Sequence, residues 1–293
     1  MDNAFDIKYE KYRGKFLTAL EKFCAEISTV PEVLGESMKY SLLLGGKRIR
    51  PVLMYAVGEV LGVGSEVLAP FACALECIHT YSLVHDDLPE MDNDDFRRGK
   101  PSNHKVFGAA NAVLAGDGLL NTAYSVLLGE CLKGGNYVSA AKFICDAAGI
   151  YGMIAGQSAD IAHENDAEPD EDTLNYIYEN KTAKLLIAAV TVPSVIQGGR
   201  YYSELKQFGK QLGYLFQLTD DILDATGSFD KLGKTVGKDE KENKLTAVKL
   251  YGLDQCRLRA DVIGDGCHKI LDGIDGDTSF LHGVVNFVKA RLN

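Results

Sequence analysis

The spacing of apolar residues predicts helix along almost the whole chain. Phe16, Leu17, Leu20, Phe23 and Ile27 recur at three- and four-residue steps, the stripe a helix presents to a core. Leu174, Ile177 and Tyr178 continue the same pattern through residues 181–185. No convincing run of alternating apolar and polar residues marks a strand. The prolines punctuate: Pro31 and Pro70 stand where helices can begin. Breaks are short, around Gly45-Gly46, residues 62–65, Gly134-Gly135, residues 165–172 and Gly198-Gly199. The longest hydrophilic stretch, residues 227–243, reads as a flap over a site, not as a linker between domains. The expectation is one all-α domain of ten or more helices spanning residues 1–293.

Composition narrows the function classes. At 293 residues and 46% hydrophobic, the chain can bury a large core. A net charge of −10 argues against nucleic acid or an anionic membrane surface as partner. An anionic substrate would then need a local reversal of charge. The seven cysteines include no C-x-x-C pair and mostly sit among apolar residues. They read as reduced, buried thiols, not as a zinc site or a disulfide framework. Residues 1–15 alternate acids and bases and lack the apolar core of a signal peptide. The longest apolar stretch, residues 185–196, is too short to cross a bilayer and contains Pro193. A cytoplasmic protein with no membrane anchor is expected.

Two carboxylate clusters carry the chemistry. The first, His85-Asp86-Asp87-Leu88-Pro89-Glu90-Met91-Asp92-Asn93-Asp94-Asp95, ends an apolar helix that runs from about Phe71. Pro89 ends the regular helix and turns Asp92 back towards Asp86 and Asp87. His79 lies two turns before Asp86 on the same face. The second cluster sits in a helix near residues 204–226. There Gln217, Asp220, Asp221 and Asp224 are spaced i, i+3, i+4 and i+7 and share one face with Gly213. Stacked carboxylates repel one another, and a cation relieves that repulsion. Hard oxygen ligands with open positions suit Mg²⁺. Either cluster alone could be a solvated acidic face; two of them, each joined to an apolar helix, favour a metal.

Basic residues supply a second mode of anion binding. Gly45-Gly46-Lys47-Arg48-Ile49-Arg50-Pro51 places three cations at a glycine-rich break, and Arg97-Arg98-Gly99-Lys100 follows the first acidic cluster. Glycines let backbone approach closely, and Arg grips phosphate through paired hydrogen bonds. An enzyme that binds two diphosphates but ionises only one needs this asymmetry. Metal should hold the diphosphate that leaves, and side-chain cations the one that stays. Two decoys fail. Residues 275–279 open like a calcium loop, but Phe280 stands where its sharp-turn glycine belongs. Gly233-Lys234-Thr235 lacks a correctly spaced upstream glycine and a preceding strand.

These motifs, in this order, resemble the short-chain trans-isoprenyl diphosphate synthases of the bacterial farnesyl diphosphate synthase type. The resemblance runs from about Ser37 to Lys249. It rests on G-G-K-R-I-R-P, Y-S-L-V-H-D-D-L-P-E-M-D, R-R-G-K-P, G-Q-S-A-D at 156–160, Lys181-Thr182, F-Q-L-T-D-D-I-L-D and G-K-T-V-G-K-D. It implies an isoprenoid-synthase-type helical bundle around a deep central cavity, in a homodimer. Asp86 and Asp92, with Asp87 nearby, would hold two Mg²⁺ ions. Asp220, supported by Asp221 and Asp224, would hold a third. Arg97, Lys181, Thr182, Gln217 and Lys234 would contact the allylic diphosphate, Lys181 and Lys234 counting also among the catalytic residues. Lys47, Arg50, His79 and Arg98 would contact isopentenyl diphosphate. The implied reaction is ionisation of the allylic diphosphate, attack by the isopentenyl double bond, and proton loss to the departing pyrophosphate.

Product length is expected to depend on Tyr81. It lies five residues before Asp86, roughly 7.5 Å along a helix, though roughly 140° around it, whereas Ser82 lies nearer the Asp86 face. By the resemblance, an aromatic here with a longer acidic loop containing Pro89 goes with a fifteen-carbon limit, and small Ser82 leaves Tyr81 as the main barrier. Geranylgeranyl or geranyl diphosphate synthesis is the alternative within the family. A terpene cyclase needs no second diphosphate site, which Lys47, Arg50 and His79 argue against. A non-catalytic subunit would tolerate loss of a carboxylate cluster, and both are intact.

Overall fold

A computed structural model describes residues 3–29, 31–164, 170–226 and 244–291. The regular structure among them is helical apart from one hairpin of two short strands, each two residues long. The helices are α1 (Asn3–Glu26), α2 (Glu32–Leu43), α3 (Ile49–Leu61), α4 (Ser65–Asp86), α5 (Asn103–Phe107), α6 (Ala109–Cys131) and α7 (Asn136–Ala148). They continue as α8 (Met153–Ala162), α9 (Glu171–Ile177), α10 (Lys184–Gln197), α11 (Tyr202–Thr226), α12 (Ala247–Tyr251), α13 (Leu253–Asp272) and α14 (Ser279–Ala290). A π-helical turn, Tyr178–Ala183, joins α9 to α10. The hairpin pairs β1 (Phe96–Arg97) with β2 (Lys100–Pro101) in antiparallel register, a small exception to the all-helical expectation.

The core forms where helices are apolar on every side. In α10 all residues from Leu185 to Ser194 are buried, the signature of a helix enclosed by others. It packs on α3, α7 and α11, while α4 lies along α6. Fully burying a side chain such as Leu186 stabilises the fold by about 2 kcal/mol. Helix ends follow local chemistry. Gly62 and Gly198 take left-handed conformations that close α3 and α10. Asp170 and Thr246 cap α9 and α12 through side-chain bonds to Thr173 and Lys249 backbone N–H groups.

Three expectations about helices are corrected. The helix carrying the first acidic cluster begins at Ser65, not near Phe71, and Pro70 lies inside it. The Gly64 carbonyl accepts from Val67 and Leu68 N–H, so the first turn is already built when Pro70 is reached. The 174–185 pattern is not one α-helix; the π turn interrupts it. By length and apolar composition, Ser65–Asp86, Ala109–Cys131 and Asn136–Ala162 could each cross a membrane, which the search for an unbroken apolar run missed. Most of the Ser65–Asp86 window is buried inside the fold.

Two glycines fix the packing around the π turn. A Cβ at Gly156 of α8 would lie 2.1 Å from the Lys181 nitrogen, and one at Gly213 of α11 would lie 2.4 Å from the Ala183 Cβ. Only hydrogen at these positions lets α8 and α11 close on the turn from both sides.

Candidate active site

Helices α4, α6, α8 and α11 and the π turn enclose a cavity of about 1140 Å³. One part of its wall is apolar, with Tyr81, Ala109, Ala110, Val113, Ile154 and Ile161. The other part is charged and carries Asp86, Asp92 and Asp220 together with Arg50, Arg97, Arg98 and Lys181. His79, Ser82, Thr182, Gln217 and Asp221 also line it. A cavity of this build takes a molecule with a greasy tail and an anionic head.

The first acidic cluster folds back as the sequence predicts. After α4 ends at Asp86, the Asp92 N–H donates to the Asp86 carbonyl at 2.9 Å, and Asn93, at φ 49°, donates to the Leu88 carbonyl. Asp86 and Asp92 thus face one space. Asp86 is deeply enclosed, and burial pushes its carboxyl up to about 6; Lys181 opposes that rise and Asp92 adds to it. Asp87 behaves differently. It is buried, does not line the cavity, and takes paired hydrogen bonds from Arg97. In this structure both of its oxygens hold Arg97 at the cavity wall.

The second cluster divides in the same way. Asp220 opens to the cavity and pairs with Arg291 at 2.5 Å. Asp221 is buried. It accepts from the Tyr178 hydroxyl, from the Ala247 N–H at 2.7 Å and from Gln217 Nε2 at 3.1 Å. Gln217 Oε1 in turn accepts from the Thr182 hydroxyl at 2.8 Å. Asp221 therefore ties α11 to the π turn and α12, a structural task the shared-face reading did not anticipate. Asp224 is buried and outside the cavity lining. The ideal helical wheel put four residues on one face; in the packed helix, 217, 220 and 221 reach the cavity while 224 turns into protein.

Cations meet these carboxylates from several elements. Lys181 pairs with Asp160 at 2.5 Å. Burial pulls the Lys181 ammonium down, but Asp160 and Asp86 outweigh it and hold it charged. Lys244 reaches Asp92 at 3.1 Å. His79, enclosed beside Arg50 and Arg98, has its pKa driven well down by burial and then by those cations, so its imidazole is neutral. Burial also lowers Arg50, to about 10, which leaves it charged at neutral pH. Lys47 lies outside the cavity lining, its ammonium 5.0 Å from the Phe287 ring centre. Lys234, with the rest of the expected flap at 227–243, lies outside the described residues.

Sequence reasoning missed Asp160, Lys244 and Arg291. Asp160 follows Gly156 by one helical turn within G-Q-S-A-D, and that spacing could have placed it beside whatever Gly156 touches. Arg291 carried no local signal; α14 folding back across α11 brings it to Asp220.

The donor set fits Mg²⁺. Among the described residues no three His, Cys, Asp or Glu side chains converge on one metal position. Mg²⁺ does not require such a cage: it takes one or two carboxylates and completes its shell with water and phosphate oxygens. Protein cations now compensate Asp92 and Asp220, and enclosed Asp86 favours its proton. Each of these is a place where a divalent ion relieves charge.

The chain is similar to known proteins in sequence and in fold. The chain is 42% identical over 279 residues to a farnesyl diphosphate synthase of Geobacillus stearothermophilus, covering 94% of this chain and 93% of that one. It is 43% identical over 269 residues to the chloroplastic geranylgeranyl pyrophosphate synthase 7 of Arabidopsis thaliana, covering 90% and 78%. The crystal structure of a Helicobacter pylori geranyltransferase complexed with magnesium and isoprenyl diphosphate superposes with a TM-score of 0.83 at 31% identity, over 97% of each chain. Residues 31–265 match the polyprenyl synthetase family, and the chain belongs to that family.

Proposed function

We propose that the chain is a single-domain, cytoplasmic trans-prenyltransferase that joins isopentenyl diphosphate head to tail with dimethylallyl and then geranyl diphosphate, giving farnesyl diphosphate and pyrophosphate. The observation that carries this reading is the cavity's mixed charge: carboxylates Asp86, Asp92 and Asp220 line it together with His79 and the cations Arg50, Arg97, Arg98 and Lys181. A site for one diphosphate needs only one of these groups.

Asp86, Asp92 and Asp220 would hold Mg²⁺, three ions by the family resemblance, and bound Mg²⁺ would stabilise the negative charge growing on the leaving diphosphate. Arg97 and Lys181 would bind that diphosphate, oriented by Asp87 and Asp160 respectively. Thr182 and Gln217, bonded to each other, would complete the contact. Arg50, Arg98 and Lys47 would bind the isopentenyl diphosphate, with neutral His79 offering a hydrogen bond. The apolar wall would exclude water from the allylic cation, the isopentenyl double bond would attack it, and the departing pyrophosphate would accept the proton lost. No protein nucleophile is needed.

Tyr81 supports the fifteen-carbon limit. It lines the apolar part of the cavity, and its hydroxyl has no hydrogen-bond partner among the described residues, as expected for a ring that serves as a wall. The geranylgeranyl alternative is favoured by the identity to plant synthases. A homodimer is supported by the exposed apolar side chains Leu114, Leu128 and Leu132 at and beyond the outer face of α6. Purified protein given labelled isopentenyl diphosphate should incorporate label only when an allylic partner and Mg²⁺ are both present. Turnover of an allylic diphosphate alone into hydrocarbon would favour a cyclase instead.

A further inference from the structure

We propose that Arg48 and Glu76 form a buried positioning pair that sets the metal-free diphosphate site, so that Lys47 in the loop before α3 and Arg50 in the first turn of α3 are held ready before substrate arrives. The proposal rests on the two diphosphate sites proposed above.

Arg48 adopts a left-handed conformation, φ 53° and ψ 39°, immediately before α3. A non-glycine residue there costs about 1 kcal/mol or more, so its side chain must gain something. The side chain is 1% exposed. Its Nη1 donates to Glu76 Oε1 at 2.6 Å, and its Nη2 donates to the Leu42 carbonyl. Arg48 thus ties the end of α2 and the middle of α4 to the loop between α2 and α3. Two other contacts clamp the same loop: the Tyr9 hydroxyl donates to the Lys47 carbonyl at 2.6 Å, and Arg98 Nη1 donates to the Gly45 carbonyl. Arg48 itself does not line the cavity, whereas Arg50, two residues on, does.

Glu76 acts from behind the wall. It is buried and absent from the cavity lining, so it competes with no incoming anion. It is the leading negative charge acting on Arg50 and on Arg98 after their burial. Without it, Arg48, Arg50 and Arg98 would face one another unbalanced when no diphosphate is bound. Glu76 also sits one turn before His79 on α4, so the same helix presents the counter-charge inward and the ligand-facing imidazole to the cavity.

The test measures KM for each substrate, kcat and thermal unfolding for Glu76→Gln, Arg48→Met and the double variant, at saturating Mg²⁺. Each single change leaves one buried charge unpaired and should lower the melting temperature; the double change removes both charges and should recover most of that loss. If the pair positions the loop, KM for isopentenyl diphosphate should rise at least tenfold in all three proteins, the double variant included. KM for the allylic diphosphate should stay within twofold. Should the single variants not fold, the double variant decides alone. Unchanged KM for isopentenyl diphosphate in a folded variant overturns the proposal. So does an equal rise for both substrates, or recovery of KM along with stability in the double variant. If wild-type protein shows no coupling that depends on isopentenyl diphosphate, the proposed function itself fails, a result seen before any variant is made.

Discussion

Asp86→Asn should stabilise the metal-free protein at neutral pH. Asp86 is enclosed at the end of α4, and burial, with Asp92 adding and Lys181 opposing, raises its carboxyl to about 6 from 3.8. The folded state therefore prefers the protonated form. Below the unfolded value neither state is charged and Asp86 costs nothing. As pH rises through 3.8 the unfolded chain loses its proton first, and stability falls until the folded group has also ionised above about 6. At about 1.4 kcal/mol per pH unit, the penalty at neutral pH is about 3 kcal/mol as an upper value. Asparagine keeps the shape and removes the charge. Urea unfolding with a chelator present should show Asp86→Asn more stable by about 1–3 kcal/mol at pH 7 and indistinguishable from wild type at pH 3.5. Added Mg²⁺ should stabilise wild type and narrow the difference. A variant less stable than wild type at pH 7, or equally stabilised at both pH values, would refute the reasoning.

Asp92→Ala and Asp220→Ala should each cut kcat by about 10³-fold or more while the helical circular dichroism stays intact, since each removes a proposed Mg²⁺ ligand; near-normal Mg²⁺-dependent turnover would remove that residue from the site. Asp221→Ala should lower stability by about 3 kcal/mol, because Tyr178, Gln217 and the Ala247 N–H lose a common acceptor; urea unfolding reads this directly. Tyr81→Ala should open the apolar wall and shift products to twenty carbons or more without abolishing turnover, as chromatography of dephosphorylated products would show.

The helices and both acidic clusters were legible because each depends on short-range spacing. The return of Asp92 towards Asp86 follows from one proline and one turn. What each carboxylate does was less legible. Asp87 and Asp221 look like their neighbours Asp86 and Asp220 in the sequence, yet partners from β1, the π turn and α12 claim them. Those partners are set by tertiary packing, which a helical wheel does not contain. The π turn was hidden for the same reason: residues 174–185 keep a helical pattern, and the extra residue shows only when Gly156 and Gly213 press against it. Arg48 stands between Lys47 and Arg50 at the glycine-rich break, and nothing in that spacing shows that its left-handed backbone and the buried Glu76 turn it inward.

The most direct test is product analysis. Purified protein with Mg²⁺, dimethylallyl diphosphate and isopentenyl diphosphate should yield farnesyl diphosphate as the main product, geranyl diphosphate as a transient, and pyrophosphate in step with each coupling. No carbon–carbon coupling under these conditions would contradict the account.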